Sequence, residues 1–244
     1  MKKALSLIGS VLALLLATGW QARAQLSPEL QAFQDAAGER SILFRGKESA
    51  RYSFPANGHP YWIHPDFERG DITFEGNFYH DVLINIDAVA QRALVHLEGR
   101  PFAVALAPAL TPSFTMGGRQ FVGFGPGEAL GEGFYEVFGA GPERVYKHVF
   151  KYVNSSVYNV NGETIGYYDE NYRAEVARHF VYRKSYWLRD AQGHFTRIKS
   201  RGALLRHFPD RKKEIRQALR AEGLTGGSSD FDAFCKTVLN LVSR

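Results

Sequence analysis

Histidine and carboxylate side chains gather most densely in His59-Pro60-Tyr61-Trp62-Ile63-His64-Pro65-Asp66. Neutral imidazoles and a carboxylate are ligands that a divalent transition metal takes. The spacing works against such a site. Along an extended chain His59 and His64 fall on opposite faces, and only a tight turn would bring the rings together. The two prolines stiffen the segment, which reads instead as a loop that lays Tyr61 and Trp62 onto a sheet. A second group, His80 and Asp81 followed by Asn85 and Asp87, offers acid–base chemistry, because a histidine beside a carboxylate titrates near neutral pH. Asp81, Asn85 and Asp87 share one parity of a run whose other parity is Val82, Ile84 and Ile86, so they are expected on a solvated strand face. Together these groups leave open a hydrolase-type enzyme with a dispersed site of His59, His64, Asp66 and His80, since catalytic groups on β scaffolds converge from distant strands.

Other catalytic signatures are missing, so the catalytic residues stay unknown. The glycines of Gly123-Phe124-Gly125-Pro126-Gly127, Gly131 and Gly133 lead into a strand pattern, Phe134 to Phe138, whereas a phosphate-binding loop must lead into a helix N-terminus. There is no Gly-x-Ser-x-Gly elbow. The single cysteine, Cys235, sits in the apolar stripe from Phe231 to Val242, which predicts a buried and inert thiol. Asn154-Ser155-Ser156 matches a glycosylation sequon, which matters only in a eukaryotic secretory pathway. No motif implies a metal or another cofactor.

Binding chemistry is better represented. Arg197, Lys199, Arg201, Arg206, Arg211, Lys212, Lys213, Arg216 and Arg220 are opposed only by Asp210, Glu214 and Glu222. Arg211, Lys212 and Lys213 are expected in the first turn of a helix, where the helix dipole disfavours cations. An acidic partner or anionic surface would favour them, so Arg211, Lys212, Lys213, Arg216 and Arg220 are candidate partner-binding residues. A solvated helix face is the plainer use of the same residues. Tyrosine and tryptophan are also plentiful, with 12 and 3 respectively. Tyr61, Trp62, Tyr167, Tyr168 and Tyr172 are candidates for an aromatic platform that stacks sugar rings or extended chains. The last three belong to Asn159 to Arg173, a stretch rich in Gly, Asn and Tyr that reads as a long loop.

The elements that must position these residues are mostly strands. Short alternating runs at Arg51–Phe54, Asp71–Glu75, Asp81–Asp87, Arg92–Leu97, Arg119–Phe124, Phe134–Phe138 and Arg144–Val153 are separated by Gly, Pro, Asn and Asp. His179 to Arg189, the turn Asp190-Ala191-Gln192-Gly193, and His194 to Lys199 read as a hairpin. A short helix follows Ser27-Pro28, and three helices are expected after Lys199: Ser200 to Phe208, a second carrying Ile215, Ala218 and Leu219 and ending at Gly223, and a third from Phe231 capped by Ser228 or Ser229. The expected fold class is α+β, mainly antiparallel β, as a sandwich or barrel-like meander, with the C-terminal helices packed on the sheet. A closed barrel would add the possibility of an apolar ligand.

The amino terminus reads as an export signal. Lys2 and Lys3 precede an apolar run from Ala4 to Ala17 too short to span a bilayer, and Ala22 and Ala24 supply small residues before Gln25, which predicts cleavage after Ala24. No cysteine lies near Thr18 to Gln25, so no lipoprotein anchor is expected. The organisation is then a signal peptide over 1–24, a β-rich domain over 25–199, and helices over 200–244 in the same structural unit. The whole chain carries a net charge of +5, and cleavage would remove Lys2, Lys3 and Arg23 but no acidic residue, leaving +2. A nucleic-acid partner is therefore not implied, and the mature chain has no apolar stretch long enough to cross a membrane. Location in the periplasm or outside the cell follows from the signal.

Gly76-x-x-Tyr79-x-Asp81-Val82-x-x-Asn85-x-Asp87, followed by Leu94-Val95-x-Leu97, resembles a pattern of uncharacterised exported proteins of Bacteroidota-type bacteria. Gly133-Phe134-Tyr135-Glu136-Val137 leading to Val145-Tyr146-Lys147, and Tyr186-Trp187 leading through Leu204-Leu205 into Asp210 to Ile215, are similar to further blocks of that family. Ile86 departs from it, standing where an aromatic is expected. The resemblance implies an envelope or secreted location and a β-rich fold, and it carries no reaction. The reading that follows is an exported, non-catalytic binding protein for an envelope protein, a glycan or an anionic surface.

Overall fold

The computed structural model describes residues 41–54, 56–158, 164–165, 175–225 and 230–243. The signal peptide, the helix after Ser27-Pro28, Tyr167, Tyr168, Tyr172 and the serines at 228 and 229 lie outside the described residues. Residues Glu39–Arg244 form one compact unit.

The twelve strands among the described residues are β1 (Lys47–Glu48), β2 (Glu68–Phe74), β3 (Asn77–Asp87), β4 (Arg92–His96), β5 (Ala103–Leu106), β6 (Ser113–Met116), β7 (Arg119–Phe124), β8 (Gly133–Phe138), β9 (Arg144–Tyr158), β10 (Thr164–Ile165), β11 (Glu175–Arg189) and β12 (Phe195–Ile198). Three helices follow: α1 (Arg201–Leu205), α2 (Lys212–Ala221) and α3 (Phe231–Val242). All twelve strands join one sheet in the order β1-β5-β4-β3-β2-β6-β7-β8-β9-β11-β12, with β10 on β9. The architecture is α+β, built mainly of antiparallel sheet.

Strand alternation selects the inner face. Ile72 and Phe74 of β2, Ile84 and Ile86 of β3, Phe114 and Met116 of β6, Phe121 of β7 and Phe134 of β8 form one buried cluster with Trp62 and Val149. Burying each of these large side chains contributes roughly 1.5–3 kcal/mol relative to exposure. The stacked rings of Phe114 and Phe121, 4.8 Å apart, with Phe134 and Trp62 edge-on, fill the space inside the curl. At the other end of the same face, Phe138, Val145, Leu188 and Ile198 pack against Leu204 of α1, Ile215 and Leu219 of α2, and Phe234, Val238 and Leu239 of α3. Gly223, at φ 69°, and the Leu224 N–H bonded to Leu219 O end α2 as the sequence anticipates. The α3 cap is Asp230, whose side chain accepts from Asp232 N–H, in place of the serines expected there.

The sheet curls back on itself because β8 is short and β9 is long. Beyond His148, β9 has no β8 partner, and the turn after β3 takes that role: Lys151 N–H donates to Ala88 O, and Gln91 Nε2 donates to Val149 O. Across this seam the segment Asn57 to Trp62 runs as a strap. It pairs with β11 through Asn57 and Phe180, and with the end of β3 through Trp62 N–H to Ile86 O and Ala88 N–H to Pro60 O. Among the described residues, the sheet order places β1 and β12 at its two ends.

Three strand expectations are revised. Arg51–Phe54 is irregular; Tyr52 is anchored to Asp87 and packs on Phe180 across the strap. The sequence pattern does not mark β5 and β6, four-residue strands close to Pro101, Pro108 and Pro112. The third concerns the outer face of β3, expected to be solvated: Asn85 and Asp87 are each only 2 % exposed. The chain from Pro60 to Phe67 covers them, with Asn85 Nδ2 donating to His64 O and Asp66 O, and Asp87 accepting from Tyr52 and from Val89 and Ala90 N–H.

Gln91 and His148 close the seam with an assigned proton. Gln91 Nε2 donates to two carbonyls, so its Oε1 faces His148 Nε2 at 2.9 Å and must accept from it. Burial under this turn pulls the His148 imidazole down to a pKa of about 4. An unfolded chain would take up that proton near pH 6.5, so folding loses up to about 1.4 kcal/mol per pH unit as the pH falls from about 6.5 towards 4. Urea midpoints at pH 7.5 and 5.0 check this: wild type should weaken more on acidification than His148→Gln, and equal losses would show that His148 does not titrate in that window.

Candidate functional site

The residues singled out by their chemistry are dispersed. His59 lies within the strap beside Lys151, whose Nζ donates to His59 O at 2.9 Å. Burial, Lys151 and the nearby His64 all lower the His59 pKa. Burial also lowers that of Lys151, although Asp87 pulls the other way. His64 instead pairs with Glu68 at 2.8 Å, and His80 with Asp71 at 2.5 Å. Asp66 enters through its backbone carbonyl, bonded to Asn85. Among the described residues no group of three or more His, Cys, Asp or Glu is arranged to hold a metal. Cys235 is buried, and desolvation raises its thiol pKa well above the usual range.

The aromatic platform needs a correction. Trp62 is 1 % exposed and stands edge-on to Phe121 in the core, so its ring is not available to a ligand. Tyr61 lies on the opposite side of the chain, because adjacent residues of a paired segment point to opposite faces. It lines a groove of about 450 Å³ with Tyr52, Phe67, His96 and Phe102.

The basic segment divides in two. Arg211 precedes α2 as its cap rather than lying in the first turn, and it pairs with Glu214 at 2.9 Å. Glu214 sits in that first turn and complements the helix dipole. Ile215 and Leu219 turn inward, leaving Lys212, Lys213, Arg216 and Arg220 exposed. The other part converges on a groove of about 660 Å³, where the chain leaves β12 for α1. Arg197, Lys199 and Arg201 meet Lys184 of β11 there, with Tyr186 and Phe231 as apolar walls. No carboxylate lines the groove among the described residues. Lys184 escaped the sequence reading because it joins the others only through the pairing of β11 with β12, in which Tyr186 lies opposite Ile198.

The apolar walls are held by a buried ion network. Lys147, 4 % exposed, bonds to Glu136 Oε2 at 3.1 Å and to Asp232 Oδ2 at 2.5 Å. The Tyr186 hydroxyl donates to Asp232 Oδ1 at 2.6 Å, and the Tyr186 ring meets Phe231 edge-on at 4.7 Å. Burial opposes the charge of Lys147, but Glu136 and Asp232 outweigh it and hold the ammonium above the usual lysine range. Asp232 shows the complementary effect: burial disfavours its charge, while hydrogen bonds from Lys147 and Tyr186 keep its carboxyl below the usual range. Burial and then Asp232 push the Tyr186 phenol far up, so it remains a donor.

Comparison of the chain with protein-family models, with curated proteins and with solved structures returned no match. Among the described residues no helix is long and apolar enough to cross a membrane.

The network makes a stability prediction. Lys147→Met would leave the buried Glu136 with only the longer 3.9 Å contact to Lys236 and would strip the half-buried Asp232 of its ammonium, and unfolding free energy in urea at pH 7 should fall by about 3 kcal/mol. A loss below about 1 kcal/mol would mean that the pair behaves like a solvent-exposed one.

Proposed function

We propose that this is an exported, non-catalytic binding protein that takes an acidic partner in the groove between the end of β12, β11 and α1. The observation that carries this reading is the convergence of Lys184, Arg197, Lys199 and Arg201 on one recess that no carboxylate lines among the described residues. Cations gathered around one recess raise its potential and attract opposite charge, and low-dielectric walls such as Tyr186 and Phe231 strengthen that field. Lys212, Lys213, Arg216 and Arg220 on the exposed side of α2 add positive charge that helps to steer an acidic partner. The non-catalytic part is supported by how the histidines are used, since His59, His64 and His80 each serve a separate local contact. Export rests on the pattern of the first 24 residues.

Fluorescence anisotropy with labelled poly-glutamate at low salt tests the reading. The variant Lys184→Glu/Arg197→Glu/Lys199→Glu should bind at least about tenfold more weakly, with the loss shrinking as salt rises. Lys212→Glu/Lys213→Glu should cost less and chiefly slow association. Equal binding by wild type and the groove variant would overturn the assignment.

A further inference from the structure

The same groove borders a stretch of strand edge that no strand pairs among the described residues. β11 runs for 15 residues while β12 has only four, so β12 covers β11 no further back than Tyr186. At the other end the strap takes over, with Asn57 N–H bonded to Arg178 O and Phe180 N–H bonded to Asn57 O. These bonds show that the even-numbered residues of β11 turn their backbone groups towards the free edge, because successive residues of a strand alternate in hydrogen-bonding direction. The odd positions of β9 agree, since Lys151, opposite Tyr182, directs its N–H away from β11 to Ala88 O. Tyr182 and Lys184 therefore present backbone groups between the two covered stretches. The Tyr182 carbonyl accepts from the exposed Arg183 guanidinium at 3.1 Å. The Tyr182 N–H and both Lys184 backbone groups have no partner among the described residues.

We propose that the groove binds an extended acidic peptide segment, which adds to β11 as a short strand. This rests on the anion-binding reading above and names its ligand. Strand addition gives affinity through main-chain bonds and specificity through alternate side chains. By register, Arg183 and Arg197 lie on the outer face of the sheet, and Tyr186 lies on the inner face with Phe231 against it. A peptide strand would place acidic side chains outward at every second position and apolar ones inward. A lysine or arginine on an edge also discourages indiscriminate pairing. Here that charge selects, since a basic or neutral strand would bring no counter-charge to the outward Arg183 and Arg197.

The test uses the purified protein and three peptides: acetyl-Glu-Leu-Glu-Leu-Glu-amide, its analogue N-methylated at the two leucines, and acetyl-Lys-Leu-Lys-Leu-Lys-amide. The acidic peptide should bind, the lysine peptide should not, and N-methylation should weaken binding by about tenfold through loss of main-chain bonds. Lys184→Pro removes an edge N–H that is not part of the β9 ladder, and should weaken the acidic peptide similarly. Because proline can disturb the fold, its circular dichroism and urea midpoint are compared with wild type, and the N-methylated peptide decides the question independently. Equal affinity for the acidic peptide and its N-methylated form would overturn strand addition while leaving the anion groove standing. Failure of every acidic probe, poly-glutamate included, would overturn both. A dimer of the protein alone that the acidic peptide does not dissociate would also sink the proposal, by showing the edge filled by a second copy.

Discussion

An ammonium group removed from water must be surrounded by compensating charge, and Lys147 meets that requirement with carboxylates from two different elements. Glu136 comes from β8, the strand next to it, and Asp232 comes from the first turn of α3. Desolvating the three groups is expensive unless their geometry is good. The two short contacts and the Tyr186 hydroxyl on Asp232 supply that geometry. The consequence reaches beyond the pair. The network fixes where α3 begins relative to the sheet, and so where Phe231 stands. Phe231 and Tyr186 are the apolar walls of the groove, so a buried ion pair sets the shape of a surface feature.

The network also partitions the inner face. On one side of Lys147 the curl is filled by Trp62, Phe114, Phe121 and Phe134; on the other, α1 to α3 cover Phe138, Val145, Leu188 and Ile198. Neither cluster alone spans the length of β9. Lys147 stands at their junction, with its ammonium 6.0 Å from the Trp62 ring centroid.

Local pattern and non-local pairing divide what could be read in advance. The parity of Val82, Ile84 and Ile86 is a property of one strand, and it is legible without a partner. So are the Gly223-Leu224 helix stop and the burial of Cys235 in an apolar stripe. The burial of the other parity of β3 is not legible, because what covers Asn85 and Asp87 is a loop whose path no periodicity reveals. Lys147 and Asp232 are 85 residues apart, and nothing local marks either as a buried ion. The basic run contains three of the groove's four cations, yet charge counting gives more weight to α2, because only the pairing of β11 with β12 brings Lys184 into the same groove.

Strand length is the constraint that ties these features to binding. A long β9–β11 hairpin beside short neighbours leaves edge on both sides, and the two edges meet different fates. On the β8 side the turn after β3 fills the gap, with Gln91 and His148 locked together; Gly133 is required there, since a Cβ would lie 2.8 Å from Gln91 Oε1 and 2.9 Å from His148 Nε2. On the β12 side the strap covers only as far as Phe180, and β12 begins its pairing at Tyr186. The first edge is sealed by the fold's own turn, under residues that the core holds in place. The second is left at the floor of a recess rimmed by cations, where pairing partners are screened by charge before they reach the backbone. An edge with that rim is open to one class of strand and closed to the rest, which is the physical requirement for selective strand addition.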